Sequence, residues 1–128
     1  MSKKLEKWEH IEFAIWLDHN QLVWLHVPNE GERSVAVQQL LARMGLKPGA
    51  PDFLIFSTPP GSKLKGVAIE MKRVGDENKK KPKSQVWWNR TLKGLGWAAG
   101  FCHGRDEAVA YMKTLGFSER PLVTLEAL

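Results

Sequence analysis

"GAPDFLIF", residues 49–56, is the stretch on which the reading of this chain turns. Its apolar part reads as a buried strand, yet the carboxylate of Asp52 stands at the entrance. A second run, "KGVAIEMK" at 65–72, repeats the oddity, because Glu70 and Lys72 interrupt residues that otherwise look like core. Burying an acid and a base costs several kcal/mol unless something pairs them. The turn-rich "STPPGSK" between the runs suggests a hairpin, and hairpin pairing would bring Asp52 towards Glu70. Residues two apart in a strand share a face, so Glu70 and Lys72 point the same way and Met71 points into the opposite layer.

Two carboxylates brought together in a partly dry site repel each other, and a divalent cation is the simplest neutraliser. Oxygen ligands favour Mg²⁺ or Mn²⁺. Lys72 on the same face can reach a water or a phosphate oxygen beside such an ion, which supplies the parts of metal-assisted phosphodiester hydrolysis. A plainer reading stays open at this point. Glu70 and Lys72 would then be the polar face of an edge strand, and Asp52 would cap a turn after Pro51.

The rest of the chain frames that hairpin. With 128 residues, 43% hydrophobic and 26% charged, it has the size and composition of one soluble globular domain spanning 1–128. No apolar stretch is long enough for a signal peptide or a membrane span, which points to the cytoplasm. The one cysteine, Cys102, excludes an intrachain disulfide and a cysteine-based zinc site. The net charge of +5 suggests an anionic partner, and the segment "KRVGDENKKKPK" at 72–83 concentrates it directly after the second strand.

Helical spacing over about 3–19 gives an amphipathic helix through Leu5, Trp8, Ile11 and Ile15, with Phe13 and Trp16 as further members. "QLVWLHV" at 21–27 reads as a strand, and Ser34 caps a helix whose apolar face is Val37, Leu40, Leu41 and Met44. Ser84 is expected to cap another helix running to about Leu95. "WAAGFCH" at 97–103 is a short strand, and a last helix is buried through Ala108, Val109, Met112 and Leu115 and ends at Gly116. The result is a small mixed β-sheet flanked by α-helices. Trp8, Trp16, Trp24, Trp88 and Trp97 fit apolar faces, whereas Trp87 lies off the Gln85/Trp88 face and is a candidate for stacking on nucleic acid or a second subunit. His26 is expected to be a hydrogen-bonded histidine at a strand end, and His19 and His103 to lie on the surface.

In order along the chain, the leading helix with "EH", then "HVPNEGERS", "MGLKPGAPDFLIF", "AIEMK" and "SQVWW" resemble a stand-alone VRR-NUC domain, a branch of the PD-(D/E)XK nuclease superfamily. The resemblance covers nearly the whole chain. It implies a restriction-endonuclease-like core and a metal-dependent endodeoxyribonuclease using Mg²⁺ or Mn²⁺. Asp52 and Glu70 match the family's metal-binding acids, the backbone carbonyl of Met71 a further ligand, and Lys72 the catalytic lysine. Gln85 matches a glutamine that helps build the active site, and Glu9 an acid that completes the metal shell, with Glu12 its rival one helical turn on.

Asn29 and Arg33 would shape the neighbouring loop, with Arg33 a phosphate contact, while Lys79, Lys80, Lys81 and Lys83 would track the backbone. Similar proteins are encoded by bacteria and phages. Small stand-alone members resemble Holliday-junction resolvases, which implies branched DNA, a role in DNA repair and a homodimer, since two-fold symmetry presents two sites to two strands. The rival readings are a non-catalytic nucleic-acid-binding scaffold and a restriction-like or RNA-directed nuclease, because lysine-rich loops do not tell DNA from RNA.

Overall fold

A computed structural model describes residues 2–28 and 33–121, with side chains from residue 6 onward. Asn29 with residues 30–32, the side chain of Leu5 and the last seven residues lie outside the described residues. The elements in order are α1 (Ser2–His19), β1 (Trp24–His26), α2 (Val35–Arg43), β2 (Phe53–Ile55), β3 (Val67–Lys72), α3 (Lys83–Gly94), β4 (Ala98–His103) and α4 (Arg105–Thr114).

The expected hairpin is present. Phe53, Leu54 and Ile55 pair antiparallel with Ile69, Ala68 and Val67. β1 adds antiparallel to β2, and β4 lies parallel to β3, giving the strand order β1-β2-β3-β4. A parallel pair needs a crossover, which α3 supplies. Side-chain alternation then sorts the layers. Phe53, Ile55, Val67, Ile69, Met71 and Cys102 meet Phe13, Trp16 and Leu17 of α1 and Ala108, Val109 and Met112 of α4. On the other face, Ala68 and Ala99 meet Leu92 of α3, with Leu54, Trp88 and Trp97 packed around them. The molecule is an α/β fold with a mixed four-stranded sheet, as the sequence led us to expect.

Two helix faces differ from expectation. On α1 the buried side chains are Phe13, Trp16 and Leu17, whereas Trp8, Ile11 and Ile15 are exposed. The helix carries two apolar stripes, and periodicity cannot choose between them; the core takes the one whose aromatic rings stack and fit against Phe53. On α2, Ser34 caps as expected by accepting from the Val37 N–H at 3.2 Å, but Val37, Leu40 and Met44 are exposed and Leu41 is only half-buried. Because β1 and β2 are antiparallel neighbours, the connection holding α2 does not have to cross the sheet, so α2 is not a core layer. No described helix is long and apolar enough to cross a membrane.

The Cys102 thiol lies in the α1/α4 core, and burial pushes its pKa from 9.0 up to about 12. Between those values the unfolded chain ionises and the folded one does not, so this thiol's contribution to stability falls as pH rises through that window. We expect native Cys102 to be inert to a thiol reagent at mildly alkaline pH and to react stoichiometrically after denaturation; rapid labelling of the native protein would contradict its burial.

Candidate functional site

Asp52 is held from both neighbouring strands. Its backbone carbonyl accepts from the Val27 N–H at 2.8 Å and faces His26 Nδ1 at 3.0 Å. A carbonyl can only accept, so Nδ1 carries the proton and His26 is the hydrogen-bonded histidine expected at a strand end. From the other side, the Met71 N–H donates to Asp52 Oδ2 at 2.7 Å. Only 2% of Asp52 is exposed. Continuing the Phe53↔Ile69 register by one residue sets Asp52 opposite Glu70, which is itself 8% exposed.

Lys72, two residues on and on the same face, donates from Nζ to Gln85 Oε1. α3 brings the glutamine there. It begins at Lys83 after Pro82 rather than from a Ser84 cap, and no side chain caps it. Proline has no N–H to leave unsatisfied, and its fixed φ suits the entry to a helix. Ser84 instead packs against Gly49, where a Cβ would meet the Ser84 hydroxyl at 2.5 Å; with φ at +78° as well, only glycine fits. Trp88 Nε1 donates to the Pro48 carbonyl at 3.1 Å, so the loop leading to Asp52 is tied to the helix that presents Gln85.

Glu9 is turned inward and Glu12 is exposed. Glu9 Oε2 accepts from the Arg105 N–H at 2.6 Å, placing its charge at the N-terminus of α4. Gly104 makes room for this approach, with φ at +92° and a would-be Cβ only 2.6 Å from Val74 Cγ2. Among the described residues, the side chains whose potential ligand atoms all lie within 4.8 Å of one another are Glu77, His103 and Glu107. His103 is not on the surface: its side chain is 9% exposed and Nδ1 lies 2.9 Å from Glu107 Oε1. From sequence His103 had no partner at metal spacing; the i,i+4 interval to Glu107 is the signal that could have found one, whereas the approach of Glu77 from the loop after β3 leaves none.

The basic residues lie around this end of β3. Lys79 and Arg73 both face Asp76, at 3.7 and 3.5 Å. Lys81 Nζ sits 5.1 Å over the Phe101 ring, and Lys80 and Lys83 are exposed. Trp87 is 58% exposed and stands edge-on to Trp88, while Trp8, expected in the core, is 52% exposed. Arg33 Nη2 donates to the Pro28 carbonyl at 2.8 Å.

Among solved structures, a VRR_NUC domain protein is similar in fold, with a TM-score of 0.64 at 22% sequence identity, over 87% of this chain and 89% of that one. The likeness is one of fold. It agrees with a restriction-endonuclease-like core. No family model matches the chain, and no curated protein does.

Glu9→Gln keeps the side chain's size and removes the charge at the start of α4. It should lower stability by about 1 kcal/mol, equally with and without Mg²⁺, in chemical denaturation. A loss confined to Mg²⁺-containing buffer would make Glu9 a metal ligand instead.

Proposed function

We propose that this chain is a metal-dependent endonuclease that hydrolyses phosphodiester bonds in DNA, acting as a homodimer on branched substrates such as four-way junctions. The observation that carries the reading is the convergence at the end of β3. Asp52 lies opposite Glu70, and Lys72 on the same strand face is held by Gln85. The fold shared with a VRR_NUC domain protein and the ordered motifs of the sequence support it.

The donors suit a hard divalent cation. Asp52 and Glu70 are buried carboxylates on opposed strand positions, an arrangement whose mutual repulsion Mg²⁺ or Mn²⁺ would relieve. In this reading Asp52 and Glu70 hold the ion with the Met71 backbone carbonyl, and Glu9 is given the α4 cap because its carboxylate is already engaged there. When bound, the ion supplies Lewis-acid polarisation of the scissile phosphate and acidifies water.

The chain's own groups do the rest. Asp52 is kept in place by the Met71 N–H, so the acid is preorganised before any substrate arrives. Lys72 Nζ orients the attacking water and offsets charge developing on the phosphate oxygens, and Gln85 fixes where that ammonium points. In-line attack expels the 3′ oxygen and leaves a 5′ phosphate. Lys79, Lys80, Lys81, Lys83 and Arg33 contact backbone phosphates without reading sequence, and exposed Trp87 offers a face to a base or to the second subunit.

The test is cleavage of labelled four-way junction, flap and linear duplex DNA with Mg²⁺, Mn²⁺ or EDTA, alongside Glu70→Gln and Lys72→Ala. We expect metal-dependent cutting, strongest on the junction, lost in both variants while Lys72→Ala still binds DNA. Binding without cutting under every metal condition would leave only a recognition scaffold, and a Lys72→Ala protein that cuts at the wild-type rate would remove Lys72 from the mechanism.

A further inference from the structure

We propose that Lys81, seated on the ring of Phe101, anchors the phosphate next to the scissile one, a task distinct from that of the other loop lysines. This assignment rests on the nuclease reading of the Asp52/Glu70 pair and adds a place for the neighbouring nucleotide.

β4 lies parallel to β3 with Phe101 opposite Glu70. Register partners project from the same face of a sheet, so Phe101 rises next to Glu70 on the side where Ala68 and Ala99 meet α3. Before α3 begins at Lys83, the chain brings Lys81 Nζ to 5.1 Å from the centre of the Phe101 ring. Acids and ammonium groups thus follow one another across the sheet: Asp52 at the start of β2, Glu70 and Lys72 on β3, and Lys81 over β4.

Among the four lysines between 79 and 83, Lys81 is the one the fold holds in this way. Lys79 faces Asp76 at 3.7 Å from an exposed position, Lys80 and Lys83 are exposed, and Lys81 is half-buried. The negative face of the ring attracts the ammonium without neutralising it. A carboxylate partner would compete with an incoming phosphate, whereas Phe101 leaves the N–H donors that point away from the ring free for an anion. Because the side chain is already ordered, less entropy is lost when it binds.

The spacing fits one nucleotide step. The midpoint of Asp52 and Glu70 lies between β2 and β3, one and a half strand spacings from β4, or ~7 Å. Successive phosphates along a nucleic-acid strand are a comparable distance apart, so a strand with its scissile phosphate at the acid pair presents the next one to Lys81. Holding that second phosphate sets the direction of the strand through the site, and the binding energy is used to align the scissile bond. Phe101 acts through Lys81 and is a positioning residue.

The experiment pairs a change in the protein with a change in the substrate. Single-turnover cleavage by the full chain with Mg²⁺ is measured on DNA whose cut position has been mapped, with one neutral methylphosphonate placed on either side of the cut in turn. We expect Lys81→Gln to slow cleavage of unmodified DNA by about tenfold and Lys81→Arg to restore most of the rate. A methylphosphonate at one flanking position should slow the wild-type chain to a similar degree and leave the Lys81→Gln rate unchanged, since that contact is already gone. Phe101→Leu keeps the ammonium but frees it, and should weaken this coupling in a protein that thermal unfolding shows to be folded. Lys80→Gln should lower affinity and its salt dependence while keeping the coupling intact. A Lys81→Gln chain as fast as wild type, or one slowed further by the methylphosphonate at both positions as much as wild type is, overturns the proposal and leaves the nuclease reading standing. A wild-type chain that binds DNA and cuts none of it overturns both.

Discussion

The hydrogen bond from the Met71 N–H to Asp52 Oδ2, 2.7 Å long, joins the two strands at the point where their backbone pairing gives way to side-chain chemistry. It is charge-assisted and buried, which makes it stronger than an ordinary ladder bond. Its consequence is the register. With Phe53 opposite Ile69, Asp52 is set against Glu70 and Lys72 emerges two residues later on the same face. A slip of one residue would turn Glu70 and Lys72 into the α1/α4 core and bring Met71 out in their place, so one pairing satisfies both the apolar core and the acids.

The parallel pairing of β3 with β4 places everything of chemical interest at one end of the sheet. Lys72 and His103 are register partners. The Asp52/Glu70 pair and the Glu77/His103/Glu107 group therefore sit close to the same strand ends, joined by the lysine-rich loop. The surroundings are made to hold that end still. Trp88 and Gly49 tie the loop before Asp52 to α3, and Glu9 and Gly104 seat the start of α4. None of these contacts is with a group placed in the proposed reaction; those of Trp88 and Gly49 fix the loop and helix that present Asp52 and Gln85.

The hairpin, the strand that follows α3 and the core face of α4 were legible because each rests on short-range pattern: apolar runs bounded by turn residues, and Ala108, Val109 and Met112 at helical spacing. The resemblance implied that Gln85, at the start of the next helix, helps build the site; its bond to Lys72 is what the structure adds. What the sequence could not decide was a choice between equals. α1 has an apolar stripe on each side, and only the shape of the sheet selects Phe13, Trp16 and Leu17 over Trp8, Ile11 and Ile15. α2 has a good cap and a good apolar face but no layer to bury it in. His103 was misjudged because the approach of Glu77 to it from the loop after β3 is a long-range contact that leaves no local pattern.

The most direct test of the central claim, that the β2/β3 junction is built to hold a metal ion against phosphate, is the anomalous scattering of crystals grown with Mn²⁺. The account predicts a peak within bonding distance of both Asp52 and Glu70, about 2.2 Å from the carboxylate oxygens. Density at Glu77, His103 and Glu107 alone, with none beside Asp52 and Glu70, would contradict it and leave the buried acid pair without the role assigned to it.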